Sequence, residues 1–282
     1  MNARTLARRL CLALLAALFP PLTALAGEGP FIILQSTTST QNSGLYEAIL
    51  PQFTTATGIE VRVVAVGTGQ ALRNARNCDG DVVIVHARAA EEAFVAAGYG
   101  LERRDLMYND FVLVGPGDDP AGVAGAGSAA GALRAIARTR APFASRGDDS
   151  GTHKKEMALW AAAGLDPLAA SGAWYRETGS GMGATLNAAV GMRAYALTDR
   201  ATWIAFANKD DFRILFEGDP ALFNQYGIIM VNPANCPDVK AEAARRFIGW
   251  MLSEEGQRAI AAYRMGDQQL FYPNAGEQGQ DH

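Results

Sequence analysis

Apolar positions along this chain cluster in short runs, separated by longer stretches with helical period. Runs over 31–35, 61–66, 81–85, 111–115, 194–197, 213–216 and 226–231 read as strands. Val82-Val83-Ile84-Val85 shows no polar face, the pattern of a strand covered on both sides. Residues 45–57 set Leu45, Ile49, Leu50 and Phe53 on one stripe and stop at Gly58, a residue free to enter the left-handed region that ends helices. Helices are also predicted over 70–77, 89–97, 131–138, 152–163, 202–208, 240–252 and 254–262; Ala243, Phe247, Trp250 and Met251 recur at helical spacing. Core packing accounts for such stripes. The alternation of strand and helix predicts an α/β architecture with largely parallel strands. The Gly-, Ala-, Ser- and Asp-rich stretch 116–130 reads as a domain boundary or an ordered surface loop, and the polar tail 276–282 as a frayed end.

The N-terminus bears on where the chain works. Arg4, Arg8 and Arg9 precede an apolar run from Leu10 to Phe19, then Pro20-Pro21 and Ala24-Leu25-Ala26. This predicts a secretory signal peptide over 1–26, cut after Ala26, rather than an uncleaved anchor, because a span needs about 20 apolar residues. No cysteine follows the cut, so no lipid anchor is expected. Without the leader, 22 Lys and Arg stand against 29 Asp and Glu, a net charge of −7. Such a charge argues against nucleic-acid binding, which rests on basic residues neutralising phosphates. It leaves anion binding open, provided local dipoles do the work. Cys11 lies in the leader; Cys78 and Cys236 remain, and an exported chain leaves two readings open, one disulfide or two buried thiols.

Candidate chemistry follows the strands. Ser36-Thr37-Thr38-Ser39-Thr40 puts five hydroxyls in a row between a strand and a helix. One N-cap needs one such residue, so the run points to hydrogen-bond donors gathered at a helix start, the place where anions bind. Gly67-Thr68-Gly69 makes a second donor-rich turn; Leu72 stands where a dinucleotide fingerprint needs glycine, and no Gly-Lys-Ser/Thr appears. A third turn runs from Ser145 to Lys155, with Arg146 as a fixed cation, Ser150 and Thr152 at a helix start, and Glu156 placed for a capping role. Gly179-Ser180-Gly181-Met182-Gly183-Ala184-Thr185 is a fourth. Four donor-rich helix starts without a clear base describe a binding cleft rather than an enzyme. A secreted hydrolase using Ser150 with His153 is the rival from another class, but no Gly-x-Ser-x-Gly elbow is present. His86, His153 and His282 have no metal-ligand spacing and read as structural residues.

Several blocks together resemble the tungstate-binding proteins of ABC importers: 36–43, 65–72, 80–86, 107–116, 145–156, 177–187 with Gly181-Met182-Gly183-Ala184-Thr185-Leu186, 197–202 and 217–222. The resemblance runs from about Phe31 to Pro273. It implies a type II periplasmic binding-protein fold of two α/β lobes, each a largely parallel sheet flanked by helices, with the anion in the cleft between. The lobes would be 27–113 plus 219–282, and 114–218, with crossovers near 110–115 and 226–231. The family's Thr-Thr-Ser loop would map to Thr37-Thr38-Ser39, its cleft arginine to Arg146 and its nearby hydroxyl to Thr152; Ser36 stands where the family pattern leads one to expect threonine.

The implied function is a monomeric periplasmic protein that needs no cofactor. It would capture tungstate by hinge closure and hand it to a membrane permease. The expected ligand set is Thr37, Thr38, Ser39, Thr68 and Gly69 from one lobe, with Arg146, Ser150 and Thr152 from the other. Molybdate or phosphate in the same fold is the alternative. A fully ionised oxyanion needs donors only, whereas hydrogen phosphate favours a carboxylate acceptor, and Asp110, Asp148, Asp149 and Asp199 all lie in or beside these loops.

Overall fold

The computed structural model describes residues 29–276. The expected leader, its cleavage site and His282 lie outside the described residues. Strands β1 (Phe31–Thr37), β2 (Glu60–Val66) and β3 (Val82–Val85) run parallel with β1 in the middle. Each feeds a helix: α1 (Thr38–Asn42) and α2 (Leu45–Thr57) after β1, α3 (Thr68–Arg76) after β2, and α4 (Arg88–Ala96) after β3. Parallel strands of one sheet deliver their following helices at the same edge, so residues 36–40, 67–69 and 86 gather there.

One long strand organises the rest. In β4 (Gly100–Gly115), the first eleven positions face β9 (Phe223–Val231), while Phe111–Val114 pair with β7 (Ala196–Asp199) and Leu113–Gly115 with β8 (Arg213–Phe216). All three pairings are antiparallel, as is that of β9 with β3, so the α/β sheet is mixed. The strand that passes between the lobes, β4, runs against its neighbours, which the strand–helix alternation could not show. The second connection between lobes is the turn 217–222 ahead of β9, so 226–231 lies wholly within the first lobe's sheet.

The second lobe adds α5 (Ala129–Thr139), β5 (Phe143–Ser145), α6 (Gly151–Ala162), β6 (Tyr175–Glu177), α7 (Met182–Met192) and α8 (Arg200–Ala205), with β5 and β6 parallel. Its main core packs Phe143, Trp160, Tyr175 and Tyr195. The first lobe's core joins Ile32, Leu34, Ile49 and Phe53 to Phe247 and Met251 of α9 (Ala241–Leu252), with Phe53 edge-on to Phe247 at 5.1 Å. Helix α10 (Glu254–Ala262) adds Ile260 to that core. Both ends of the described chain therefore build one lobe. A Cys78–Cys236 disulfide, 158 residues apart in sequence, ties the turn after α3 to the loop after β9.

Candidate functional site

At the shared sheet edge the hydroxyl run divides its labour. Thr37 caps α1: its Oγ1 accepts the Thr40 N–H at 3.4 Å and lies 2.7 Å from Thr40 Oγ1 and 3.1 Å from Ser39 Oγ. Thr38 Oγ1 is buried and has no hydrogen-bond partner among the described residues. Ser39 Oγ instead meets His86 Nε2 at 3.2 Å. At the start of α3, Thr68 is fully buried and its hydroxyl is likewise unpartnered. The leading N–H groups of that helix, Thr68 and Gly69 among them, lack intrahelical acceptors, as in any first turn.

The other lobe answers with charge. Arg146 is 3% exposed; its Nη2 donates to Asp148 Oδ2 at 2.5 Å and its Nε to the Ser180 carbonyl at 3.3 Å. Ser150 caps α6 by accepting the His153 N–H at 3.1 Å. Thr152, two residues on, is fully buried with an unpartnered hydroxyl.

The two sides touch. A Cβ built on Gly151 would lie 2.9 Å from Thr68 Oγ1 and 2.8 Å from His86 Cε1, and one on Gly181 3.9 Å from Thr38 Oγ1. A Cβ on Gly69 would overlap the Asp149 carboxylate, which Lys154 and, at 3.5 Å, Arg73 both hold. Three unpartnered threonine hydroxyls and a buried guanidinium thus border one junction. A buried hydroxyl without a partner costs about 1–3 kcal/mol, so this arrangement suits a ligand rich in acceptors.

The four nearby carboxylates are occupied. Asp148 Oδ1 accepts the Ser150 N–H at 3.2 Å while Oδ2 takes Arg146. Asp149 is held by Lys154 first and by Arg73, and both hold its carboxyl below the usual range. Asp110 takes Arg200 Nε and Nη2, both at 2.6 Å. Asp199 caps α8, accepting the Thr202 N–H at 2.9 Å and its hydroxyl at 2.7 Å, and burial raises its pKa. Burial likewise takes His86 down to about 4, against its bond to Asn224; the positive charges of Arg146 and Lys155 add to the fall. The ring is neutral at physiological pH.

The structure therefore brings Thr38, Thr68, Arg146 and Thr152 together as free or charged donors. It leaves the side-chain oxygens of Thr37 and Ser150 as caps, turns that of Ser39 to His86, and uses Gly69 where a side chain would not fit. Glu156 is not a cap. Six positions beyond Ser150, it points into the second lobe's core and accepts from Ser145 at 2.8 Å, Tyr175 at 2.7 Å and Trp160 at 3.2 Å. The Ser150 hydrolase reading finds no support, because its oxygen accepts a backbone N–H while the His153 imidazole Nδ1 accepts from the Asp149 N–H at 3.2 Å. Among the described residues no group of three or more His, Cys, Asp or Glu could hold a metal ion. Sequence reasoning set His86 aside; its place directly after β3, on the edge shared with the two donor turns, was the available signal.

Two lobes joined by continuous strand, with helix starts and donors facing a common junction, define a two-lobed binding protein. The chain belongs to the PBP superfamily, whose domain model matches residues 24–255. It is 49% identical over 250 residues to the tungstate-binding protein TupA of Peptoclostridium acidaminophilum, covering 86% of each chain. Among solved structures it resembles the tungstate-binding protein TupA from Desulfovibrio alaskensis G20 (50% identity, TM-score 0.74, 87% of this chain and 99% of that one). The tungstate ABC transporter structure from Geobacter sulfurreducens aligns with 50% identity and a TM-score of 0.76, over 83% of this chain and 98% of the other. Two of these relatives are tungstate-binding proteins and the third is a tungstate ABC transporter structure; this chain is a substrate-binding transport protein rather than an enzyme.

Proposed function

We propose that the chain captures tungstate outside the cytoplasmic membrane by closing its lobes on the anion, and presents it to the membrane permease of an ABC importer. The observation that carries this reading is the three hydroxyls of Thr38, Thr68 and Thr152, each buried and unpartnered among the described residues, together with the buried Arg146 at the junction of the lobes. Their hydroxyls and the guanidinium donate to the four oxygens. Ser39 and Gly69 offer backbone N–H groups, and Thr37 and Ser150 hold the helix starts in place. Each bond to the dianion contributes roughly 1.5–3 kcal/mol, and donors from both lobes act together only in the closed form, so ligand shifts the population towards closure.

Every carboxylate oxygen of Asp110, Asp148, Asp149 and Asp199 already accepts a hydrogen bond within the protein, which favours a fully ionised oxyanion over hydrogen phosphate. The names of the relatives favour tungstate over molybdate. The anion is cargo, and the reading requires no cofactor. The protein would be a periplasmic monomer, its leader removed after Ala26. The lobes would be 27–113 plus 219–282, and 114–218; the packing of Phe111 and Leu113 with second-lobe residues favours a hand-over at Asp110. Titration calorimetry with tungstate, molybdate, sulfate and phosphate tests the reading. Tungstate should bind far more tightly than phosphate, and binding no tighter than millimolar for all four would sink it.

A further inference from the structure

His86 is joined at both ends. Its Nε2 lies 3.2 Å from Ser39 Oγ in the hydroxyl run, and its Nδ1 lies 3.0 Å from Asn224 Oδ1 on β9. Asn224 in turn donates through Nδ2 to Asn109 Oδ1 on β4 at 2.6 Å. Asn109 and Asn224 are register partners, one residue from the point where β4 leaves β9 for the second lobe. The ring is stacked on Tyr226 at 4.8 Å, and its Cε1 reaches across the junction towards Gly151. An imidazole that is 5% exposed, bonded on both nitrogens and stacked on its face has one orientation.

That orientation fixes a direction. Asn224 has its amide hydrogens towards Asn109, so it shows His86 a carbonyl oxygen, an acceptor only. A neutral ring must then carry its single proton on Nδ1, which leaves Nε2 bare. A bare Nε2 facing Ser39 Oγ at hydrogen-bond distance accepts the hydroxyl proton. We infer that His86 is a positioning residue of the oxyanion site: anchored through Nδ1 to Asn224 of β9, it draws the Ser39 hydroxyl away from the ligand, so that Ser39 meets the anion through its backbone N–H alone. Ser39 thereby differs from Thr38, Thr68 and Thr152, whose hydroxyls are free to donate. The line Ser39–His86–Asn224–Asn109 also ties the first lobe's donor loop to β9 and to β4 beside the point where β4 leaves for the second lobe.

This inference rests on the proposed oxyanion function, and its test separates the two. Tungstate titration of the unaltered protein comes first; no binding there removes the function, whatever His86 does. Given binding, His86→Phe keeps the stacking and loses both hydrogen bonds. It and Ser39→Ala should each weaken tungstate binding about tenfold, and the double variant should be no weaker than the worse single, because both break one connection. His86→Phe combined with Thr152→Val should instead multiply the two losses. Losses that multiply for His86 and Ser39, or an unchanged dissociation constant in His86→Phe, would overturn the inference. Where His86→Phe lowers the unliganded melting point, nitrogen-15 spectra of the unaltered protein decide. The Nδ1–H tautomer with and without tungstate is expected, and an Nε2–H tautomer in the loaded protein would refute it.

Discussion

Gly151→Ala adds one methyl group at the first position of α6, and the structure says what that methyl meets. Its ideal position is 2.8 Å from His86 Cε1, 2.9 Å from Thr68 Oγ1 and 3.0 Å from His86 Nδ1. Ordinary contacts of this kind are about 3.5–4.0 Å, so the overlap is about 0.5–1 Å on three atoms. The ring has no room to yield, because Ser39, Asn224 and Tyr226 fix it. The strain must be met by parting the lobes or by displacing α6, at about 1–3 kcal/mol for overpacking. That corresponds to a tungstate dissociation constant raised about 5- to 150-fold. In the open form the methyl faces solvent and alanine is the better helix residue, by up to about 0.5–1 kcal/mol. Calorimetry and thermal melts with and without ligand therefore move in opposite directions. Affinity falls, while the unliganded melting temperature holds or rises by about 1–4 °C. A dissociation constant within twofold of the unaltered protein would refute the reasoning, and so would a fall in the unliganded melting point that accounts for the lost affinity.

Other outcomes follow from the same geometry. Arg146→Ala should lose about 10- to 100-fold in tungstate affinity by calorimetry, and unchanged affinity would remove Arg146 from the site. Thr68→Val and Thr152→Val should each cost about tenfold or more in affinity, yet leave unliganded stability nearly equal, since the open form solvates each hydroxyl and the change keeps the side chain's shape nearly constant. Replacing Cys78 and Cys236 by serine should lower unfolding free energy in denaturant by about 2–5 kcal/mol. Tungstate affinity should change less than twofold there, because the bridge lies past the end of α3 remote from Thr68. Burial lifts the Glu156 carboxyl from 4.5 to about 7, against hydrogen bonds from Tyr175, Ser145 and Trp160. The folded state holds that proton more tightly than the unfolded chain, so the stabilisation is full below 4.5 and is lost as pH rises to about 7. The stability difference between the unaltered protein and Glu156→Gln should drift over that window and be flat above it.

Where one physical signal dominated, the sequence was enough. Helix α2 begins and ends as its stripe and Gly58 indicate, and β8 and α10 match their expected spans. The stripe of α9 buries Ala244 rather than Ala243, a rotation of the helix that period alone does not resolve. The larger miss is β4. Only its last five residues look like a strand, because Leu101-Glu102-Arg103-Arg104-Asp105 reads as solvated polar chain. In the fold Arg103 is nearly buried, with its Nε 2.7 Å from the fully buried Glu91, so an internal ion pair disguises a strand as a loop. The short α1 was hidden for another reason: its turn is held by the Thr37 hydroxyl and not by apolar period. At the site, the donor turns were legible as residue types. Which hydroxyls are free and which act as caps depends on distances that residue type does not carry; Thr37 and Thr38 are neighbours with opposite roles.

The three unpartnered hydroxyls have a consequence for an importer as a whole. On the proposed reading, a protein that shut without cargo would leave Thr38, Thr68 and Thr152 dry and unsatisfied, at about 1–3 kcal/mol each. At the low end of that sum, about 3 kcal/mol, fewer than about one empty molecule in a hundred would be shut at any moment. A permease that docks the shut form would then rarely meet a vacant carrier, and little of its energy would go into idle cycles. The same groups that grip the anion thus act as a threshold against false delivery.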